Sequence, residues 1–147
     1  MPAVRRADVI WEGSLASGSG AVSAASSGAF RDLAVTWASR TEAPAGRTSP
    51  EELIAAAHAA CFAMAFSARL TRAGHPPARL EVHAQVTFDQ GEAGWRVQSS
   101  HLTVRGRVPD MGAEAFRQEA DAAKDGCPVS QALRGNVELR VDATLES

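Results

Sequence analysis

Two cysteines, Cys61 and Cys127, are the residues of this sequence best suited to chemistry. A sulfur becomes a nucleophile only as its thiolate, so each one's setting decides what it can do. Cys61 sits in His58-Ala59-Ala60-Cys61-Phe62, the middle of a long apolar run. An apolar helix interior raises a thiol's pKa, so reactivity there requires a cation brought from elsewhere in the fold. Arginine suits that role, because it is always charged and its fork of donors can hold a thiolate together with a second acceptor. Cys127 stands between Gly126 and Pro128, the expected N-cap of a short helix, where free N–H groups and the positive end of the dipole favour a thiolate. The plainer alternative for both is a pair of buried, unreactive thiols.

His58 lies three residues before Cys61 and shares its helix face. A His-x-x-Cys pair supplies half of the four ligands a closed zinc site needs. His75, His83 and His101 stand at no ligand spacing, so neither a metal nor a cofactor is expected. His58 reads as a satisfied core histidine or a polar lining residue sooner than as the base for Cys61. The sequence has no phosphate loop, no GxGxxG, no GxSxG and no CxxC of the thioredoxin kind.

The elements that position these residues follow from the rest of the chain. Its 147 residues, 45% hydrophobic and 22% charged, fit a single domain (1–147) that can bury its own core. The net charge is −2 and the basic residues are scattered, which argues against nucleic-acid or membrane partners. Arg5 and Arg6 are followed by no apolar h-region, so no signal peptide is expected. The run from Leu53 to Phe66 is about 14 residues against the roughly 20 of a membrane span. A cytoplasmic protein is the expectation, and there two cysteines would not form a permanent staple.

Residues Ala7–Gly13, Ala21–Ala25 and Leu33–Ala38 read as three strands, the last alternating Leu33, Val35 and Trp37 against Ala34, Thr36 and Ala38. Arg40–Thr48 reads as a loop. Ser49, Pro50 and Glu52 then form an N-cap, a first-turn proline and a capping box. The helix they open runs to about Ala73, with Gly74 and Pro76-Pro77 beyond it. It is apolar nearly all round between Leu53 and Phe66, which predicts burial on every side. Leu80–Asp89 alternates cleanly, Gly91–Gly94 is a hairpin turn, and Trp95–Val108 is a long strand. Gly112–Asp125 has an amphipathic helical pattern with Ala115, Phe116, Ala120 and Ala123 in phase, Pro128–Leu133 is a short helix, and the alternating residues from Val137 to Leu145 close the chain as a strand. The order βββ-α-ββ-α-α-β argues for an α+β fold.

Two segments resemble the signatures of the OsmC/Ohr family. Thr48-Ser49-Pro50-Glu51-Glu52-Leu53-Ile54-Ala55-Ala56-Ala57-His58-Ala59-Ala60-Cys61-Phe62 is similar to the first, and Gly126-Cys127-Pro128-Val129-Ser130-Gln131-Ala132-Leu133 to the second. Ile10-Trp11-Glu12-Gly13 resembles the opening of OsmC proteins. The Ala-His-Ala-Ala-Cys and Cys-Pro-Val-Ser-Gln forms look like the OsmC branch, while Arg134-Gly135-Asn136 is reminiscent of Ohr. The resemblance implies an intertwined homodimer with a central buried helix packed against antiparallel sheets. It also implies a peroxiredoxin-like organic hydroperoxide reductase acting in oxidative stress defence. On that likeness Cys61 is the peroxidatic cysteine, Cys127 the resolving cysteine, and Glu51 the motif glutamate. Of the two arginines in the loop before the helix, the likeness favours Arg40 over Arg47 as the catalytic arginine. It further implies a Cys61–Cys127 disulfide restored by an external dithiol, of lipoyl type.

Glu51 precedes Cys61 by ten residues, so on one straight helix they stand about 15 Å apart along the axis. A carboxylate cannot reach across that distance to an arginine held at its own chain's thiol. The resemblance nevertheless gives both residues a part in one site, and what it then implies is a two-fold dimer with antiparallel central helices, in which Glu51 and Arg40 of one subunit complete the Cys61 site of the other. Two other readings compete: a cysteine hydrolase using His58 as base, and a non-catalytic stress or ligand-binding protein on the same scaffold.

Overall fold

The structure is a computed structural model that describes residues 1–146. In chain order the elements are β1 (Asp8–Glu12), β2 (Ser19–Ser23), β3 (Leu33–Val35), α1 (Trp37–Thr41), α2 (Pro50–Arg72), β4 (Arg79–Gly91), β5 (Gly94–Arg107), α3 (Ala113–Gly126), α4 (Pro128–Leu133) and β6 (Glu138–Leu145). The chain divides into two compact units, one ending at Leu53 and the other beginning at Ile54. The α+β class is as expected; the element order gains α1.

The first unit is an antiparallel meander, β1-β2-β3. Gly20 lies opposite both Trp11 and Val35. A Cβ there would stand 2.8 Å from Trp11 Cε3 and 2.9 Å from Val35 Cγ2, so only glycine lets the indole lie across the sheet. The expected third strand stops at Val35. Thr36 takes over as an N-cap: its Oγ1 accepts from the Ser39 amide at 3.0 Å, and Ser39 Oγ accepts from the Thr36 amide at 3.0 Å. This reciprocal box turns the end of the expected strand, Trp37 and Ala38, and the start of the expected loop, Arg40 and Thr41, into helix. The Ser39 hydroxyl also points at the Thr48 carbonyl, 3.0 Å away, and pins the loop that leads to α2.

Helix α2 opens on the expected N-cap Ser49, but the carboxylate of Glu52 takes the Thr48 hydroxyl in place of the reciprocal bond of a capping box. Ser49 Oγ accepts from the Glu52 amide at 3.1 Å, while the Glu52 carboxylate accepts from the Thr48 hydroxyl at 2.7 Å. The helix ends in a Schellman motif: Gly74 has φ +88°, its amide bonds the Thr71 carbonyl, and the His75 amide bonds that of Leu70.

In the second unit the sheet order is β4-β5-β6. β4 and β5 form the expected hairpin through Glu92 and Ala93. β6 pairs with β5 in parallel, so this sheet is mixed rather than antiparallel. Its β5 face turns Ser100, Leu102 and Val104 into the core. Against it lies one stripe of α2, spaced by four: His58, Phe62, Phe66 and Leu70, all fully buried. Phe66 packs on Phe62 at 5.5 Å and on Phe116 of α3 at 5.0 Å between centroids. In α3 Phe116, Ala120 and Ala123 turn inward, whereas Ala115 is exposed.

The expectation that α2 is covered on every side fails within one chain. Ala56, Ala60, Met64 and Ala68, also spaced by four, are exposed, with Met64 at 72%. This second stripe lies on the opposite side of the helix from the first, since a shift of two residues is about 200°.

Gly106 sets the distance between sheet and helices. A Cβ on it would stand 2.5 Å from Phe116 Cζ, 2.6 Å from Phe116 Cε2 and 3.1 Å from Leu80 Cδ2. Gly106→Ala is expected to lower unfolding stability by about 1–3 kcal/mol through overpacking. At Gly91 a Cβ would meet only Gln98 Nε2, at 4.0 Å, so Gly91→Ala should change stability by less than about 0.5 kcal/mol. Urea titration of both variants measures the contrast; equal midpoints would refute it.

Candidate functional site

The structure brings the four site residues together as two pairs. The first pair is in the second unit. Cys61 is half-buried, one turn beyond His58 on α2, and its sulfur lies within hydrogen-bonding reach of Cys127. Cys127 is fully buried and is the N-cap of α4, as its position before Pro128 predicts. Neither sulfur is in a disulfide. Burial pushes the Cys61 thiol above its usual pKa, and the hydrogen bond from the Cys127 side pushes it the same way. The backbone amide of Val129 bonds the Cys61 sulfur and acts in the opposite sense. The net effect favours the protonated thiol, which agrees with the need for a cation inferred from the apolar helix.

The second pair is in the first unit. Glu51 is buried and takes Arg40 in a forked contact: Nε to Oε1 and Oε2 at 3.1 Å each, and Nη2 to Oε1 at 2.8 Å. The guanidinium also lies over the Trp37 ring, 5.8 Å from its centroid. α1 supplies both Arg40 and Trp37, so the helix that the strand pattern concealed is the element that holds this arginine. Arg47 is exposed on the loop; Arg40 is the one of the two that reaches Glu51. Fixed by a buried carboxylate and a ring, Arg40 presents a cation in one defined place.

An apolar cavity of about 350 Å³ adjoins this pair. Val9, Trp11, Val22, Val35, Trp37 and Leu53 line it, with Arg40 at its wall. Such a volume admits a small organic group. The single strand face carrying Val9 and Trp11 is visible in the sequence, but its closure by Trp37 and Leu53 is not.

His58 is not a base for Cys61. Its ring is fully buried, Nδ1 lies 2.6 Å from Ser100 Oγ, and Nε2 lies 2.8 Å from Ser130 Oγ. Burial lowers its pKa and keeps it neutral. The reading as a satisfied core histidine holds, and the hydrolase alternative loses its only base. Ser100 and Ser130 escaped notice, yet Ser100 stands in phase with Leu102 and Val104 on an otherwise apolar strand face. Among the described residues no group of three or more His, Cys, Asp or Glu side chains is placed to hold a metal ion.

The OsmC family of OsmC-like proteins matches residues 43–142. The chain is 40% identical over 129 residues to peroxiredoxin OsmC of Escherichia coli K12, spanning 88% of this chain and 89% of that one. It is 30% identical over 97 residues to the organic hydroperoxide resistance protein OhrB of Bacillus subtilis, spanning 65% of this chain and 68% of OhrB. The crystal structure of OhrB superposes with a TM-score of 0.71 at 27% identity, covering 95% of this chain and 98% of that one. An OsmC-like protein of Mycoplasma pneumoniae, 14% identical, shares the fold over the whole of both chains with a TM-score of 0.75. The match extends through the helix of Cys61 and the helix N-capped by Cys127, and the chain belongs to the OsmC family.

Proposed function

We propose that this protein is a thiol peroxidase that reduces organic hydroperoxides to alcohols in defence against oxidative stress. The observation that carries the reading is the Cys61–Cys127 pair: two reduced sulfurs within hydrogen-bonding reach, one accessible and one buried. The peroxiredoxin and organic hydroperoxide resistance names of its relatives support the same class.

The accessible sulfur suits attack on an incoming substrate. The Cys61 thiolate attacks the distal peroxide oxygen, the O–O bond breaks, and the alkoxide leaves as alcohol after taking a proton. Cys61 becomes a sulfenic acid. Cys127 attacks that sulfur, the S–O bond breaks, and water leaves as the disulfide forms. An external dithiol then reduces the disulfide by exchange; the resemblance suggests a lipoyl-type reductant. Arg40 is the cation for the thiolate, and Glu51 fixes its guanidinium. A pairing that comes and goes in this way suits a reducing compartment, which supports a cytoplasmic location. The alternative of a non-catalytic binding protein on this scaffold would leave the approach of the two sulfurs without a purpose.

The reading includes a homodimer. The exposed stripe Ala56, Ala60, Met64 and Ala68 is the wrong surface to leave in water on a 23-residue helix. A second copy packed antiparallel across it would cover this stripe, and would let Arg40 and Glu51 of one subunit serve Cys61 of the other.

Three outcomes test the proposal. With one equivalent of cumene hydroperoxide, Cys61→Ser should consume no peroxide, while Cys127→Ser should react once and stop at sulfenic or sulfinic acid by intact mass. Full dithiol-driven turnover by Cys61→Ser would show the wrong nucleophile. The apolar cavity beside Arg40 should favour organic substrates, since buried apolar surface is worth about 25 cal/mol per Å². The kcat/KM for cumene hydroperoxide should therefore exceed that for hydrogen peroxide, and the reverse order would count against the cavity. Cys61→Ser and Arg40→Ala subunits, each inactive alone, should recover up to about half the activity per dimer when co-expressed, because a two-fold dimer then keeps one intact composite site. Verified heterodimers with no activity would remove the shared site.

A further inference from the structure

The His58 hydrogen bonds tie together the same two segments that the cysteines join. His58 stands three residues before Cys61 on α2, and Ser130 stands three residues after Cys127 on α4. Residues three apart share a helix face. The two segments therefore meet at two rungs: sulfur to sulfur between Cys61 and Cys127, and imidazole to hydroxyl between His58 and Ser130 at 2.8 Å. The second ring nitrogen is held from the sheet by Ser100 Oγ at 2.6 Å.

Besides the clasp, α4 is placed by its buried N-cap Cys127 and by Val129, which packs against the core. It is six residues long, and Ser130 is its one fully buried residue. A helix of that length has no independent stability, so its position comes from its contacts. A histidine between two serines is also a costly way to fill a core, because its ring must be desolvated. Fully satisfied polar networks of this kind specify one arrangement where apolar packing would tolerate several. A disulfide needs that specificity: the Cβ atoms must come within about 3.5–4.5 Å in a narrow geometry.

We propose that His58 is a positioning residue for the resolution step, which by bridging Ser100 and Ser130 fixes α4 in the register at which Cys127 reaches Cys61. In that step the Cys127 sulfur bonds the Cys61 sulfur, the S–O bond of the sulfenic acid breaks, and the leaving hydroxide takes the Cys127 proton as water. Cys127 is oxidised and the Cys61 sulfenic acid reduced, with no further reagent. The inference rests on the peroxidase reading above, but the pairing equilibrium of the two sulfurs tests it without any peroxide.

The test uses the full chain with three substitutions. Ser130→Ala removes one rung. His58→Asn keeps an amide near Nδ1 and loses the link to Ser130, whereas His58→Gln places its amide near Nε2 and keeps that link. In a glutathione redox buffer, Ser130→Ala and His58→Asn should form the Cys61–Cys127 disulfide about tenfold less favourably, a shift of about 30 mV. His58→Gln should stay close to the parent protein. In a single turnover with cumene hydroperoxide, the first two variants should accumulate dimedone-reactive sulfenic acid, and excess peroxide should convert more of it to sulfinic acid. The proposal is overturned if Ser130→Ala, folded by near-UV circular dichroism, keeps the parent equilibrium. It is equally overturned if His58→Gln falls as far as His58→Asn, which would mark a general loss of core packing. A parent protein that ignores the hydroperoxide would remove the peroxidase reading, while the glutathione equilibrium would still decide the role of the clasp.

Discussion

A thiol inside an apolar helix is held protonated by its surroundings, and the fold is organised around that constraint. Cys61 is pushed toward the thiol form by burial and by its Cys127 neighbour. Within its own unit the opposing influence is one backbone amide, from Val129. A neutral donor cannot do what a full charge does at short range. In the first unit Arg40 is a cation fixed in place by the buried carboxylate of Glu51 and the ring of Trp37. A guanidinium fixed in advance carries less ordering cost than a mobile one when it meets an anion.

Helix α2 has two apolar stripes with different fates. Its Phe62, Phe66 and Leu70 stripe must lie on the sheet to form a core at all. That leaves the Ala56, Ala60, Met64 and Ala68 stripe open in one chain. Small side chains there permit close approach of another helix, whereas bulky ones would hold it away. The helix is long and apolar enough to cross a membrane by length and composition, yet its most apolar stripe is already committed to the fold. An apolar helix of this kind offers two contact surfaces, of which the chain itself covers one.

Local signals carried much of the fold. Ser49, Pro50 and Gly74 bounded α2, Gly91 and Gly94 marked the hairpin, and Gly126-Cys127-Pro128 marked the start of α4, because each acts through its own backbone. The errors were failures of the same local rules in competition. Leu33 to Ala38 alternates like a strand, but the Thr36–Ser39 box captures the second half as α1. β6 alternates correctly, yet whether it joins β5 in parallel depends on where α3 and α4 deliver it, which no local pattern encodes. Both cysteines and Glu51 stand in two signature segments, and Arg40 was legible only through the family likeness of the loop before the first of them. The partners of His58 were not, because Ser100 and Ser130 are distant in sequence and each looks ordinary alone.

Ser100 shows how such a partner is recognised. A serine among inward-facing Leu102 and Val104 would leave a buried hydroxyl unpaired, at a cost of about 1–3 kcal/mol. A buried neutral histidine has one donor and one acceptor to satisfy, and a serine hydroxyl can play either part. Two serines and one histidine therefore satisfy one another in either tautomer, and among the described residues no buried side-chain polar atom is left without a partner. Three polar groups that would each destabilise the core alone are compatible with it only together. That mutual dependence links β5, α2 and α4 at one point, one turn of α2 from Cys61.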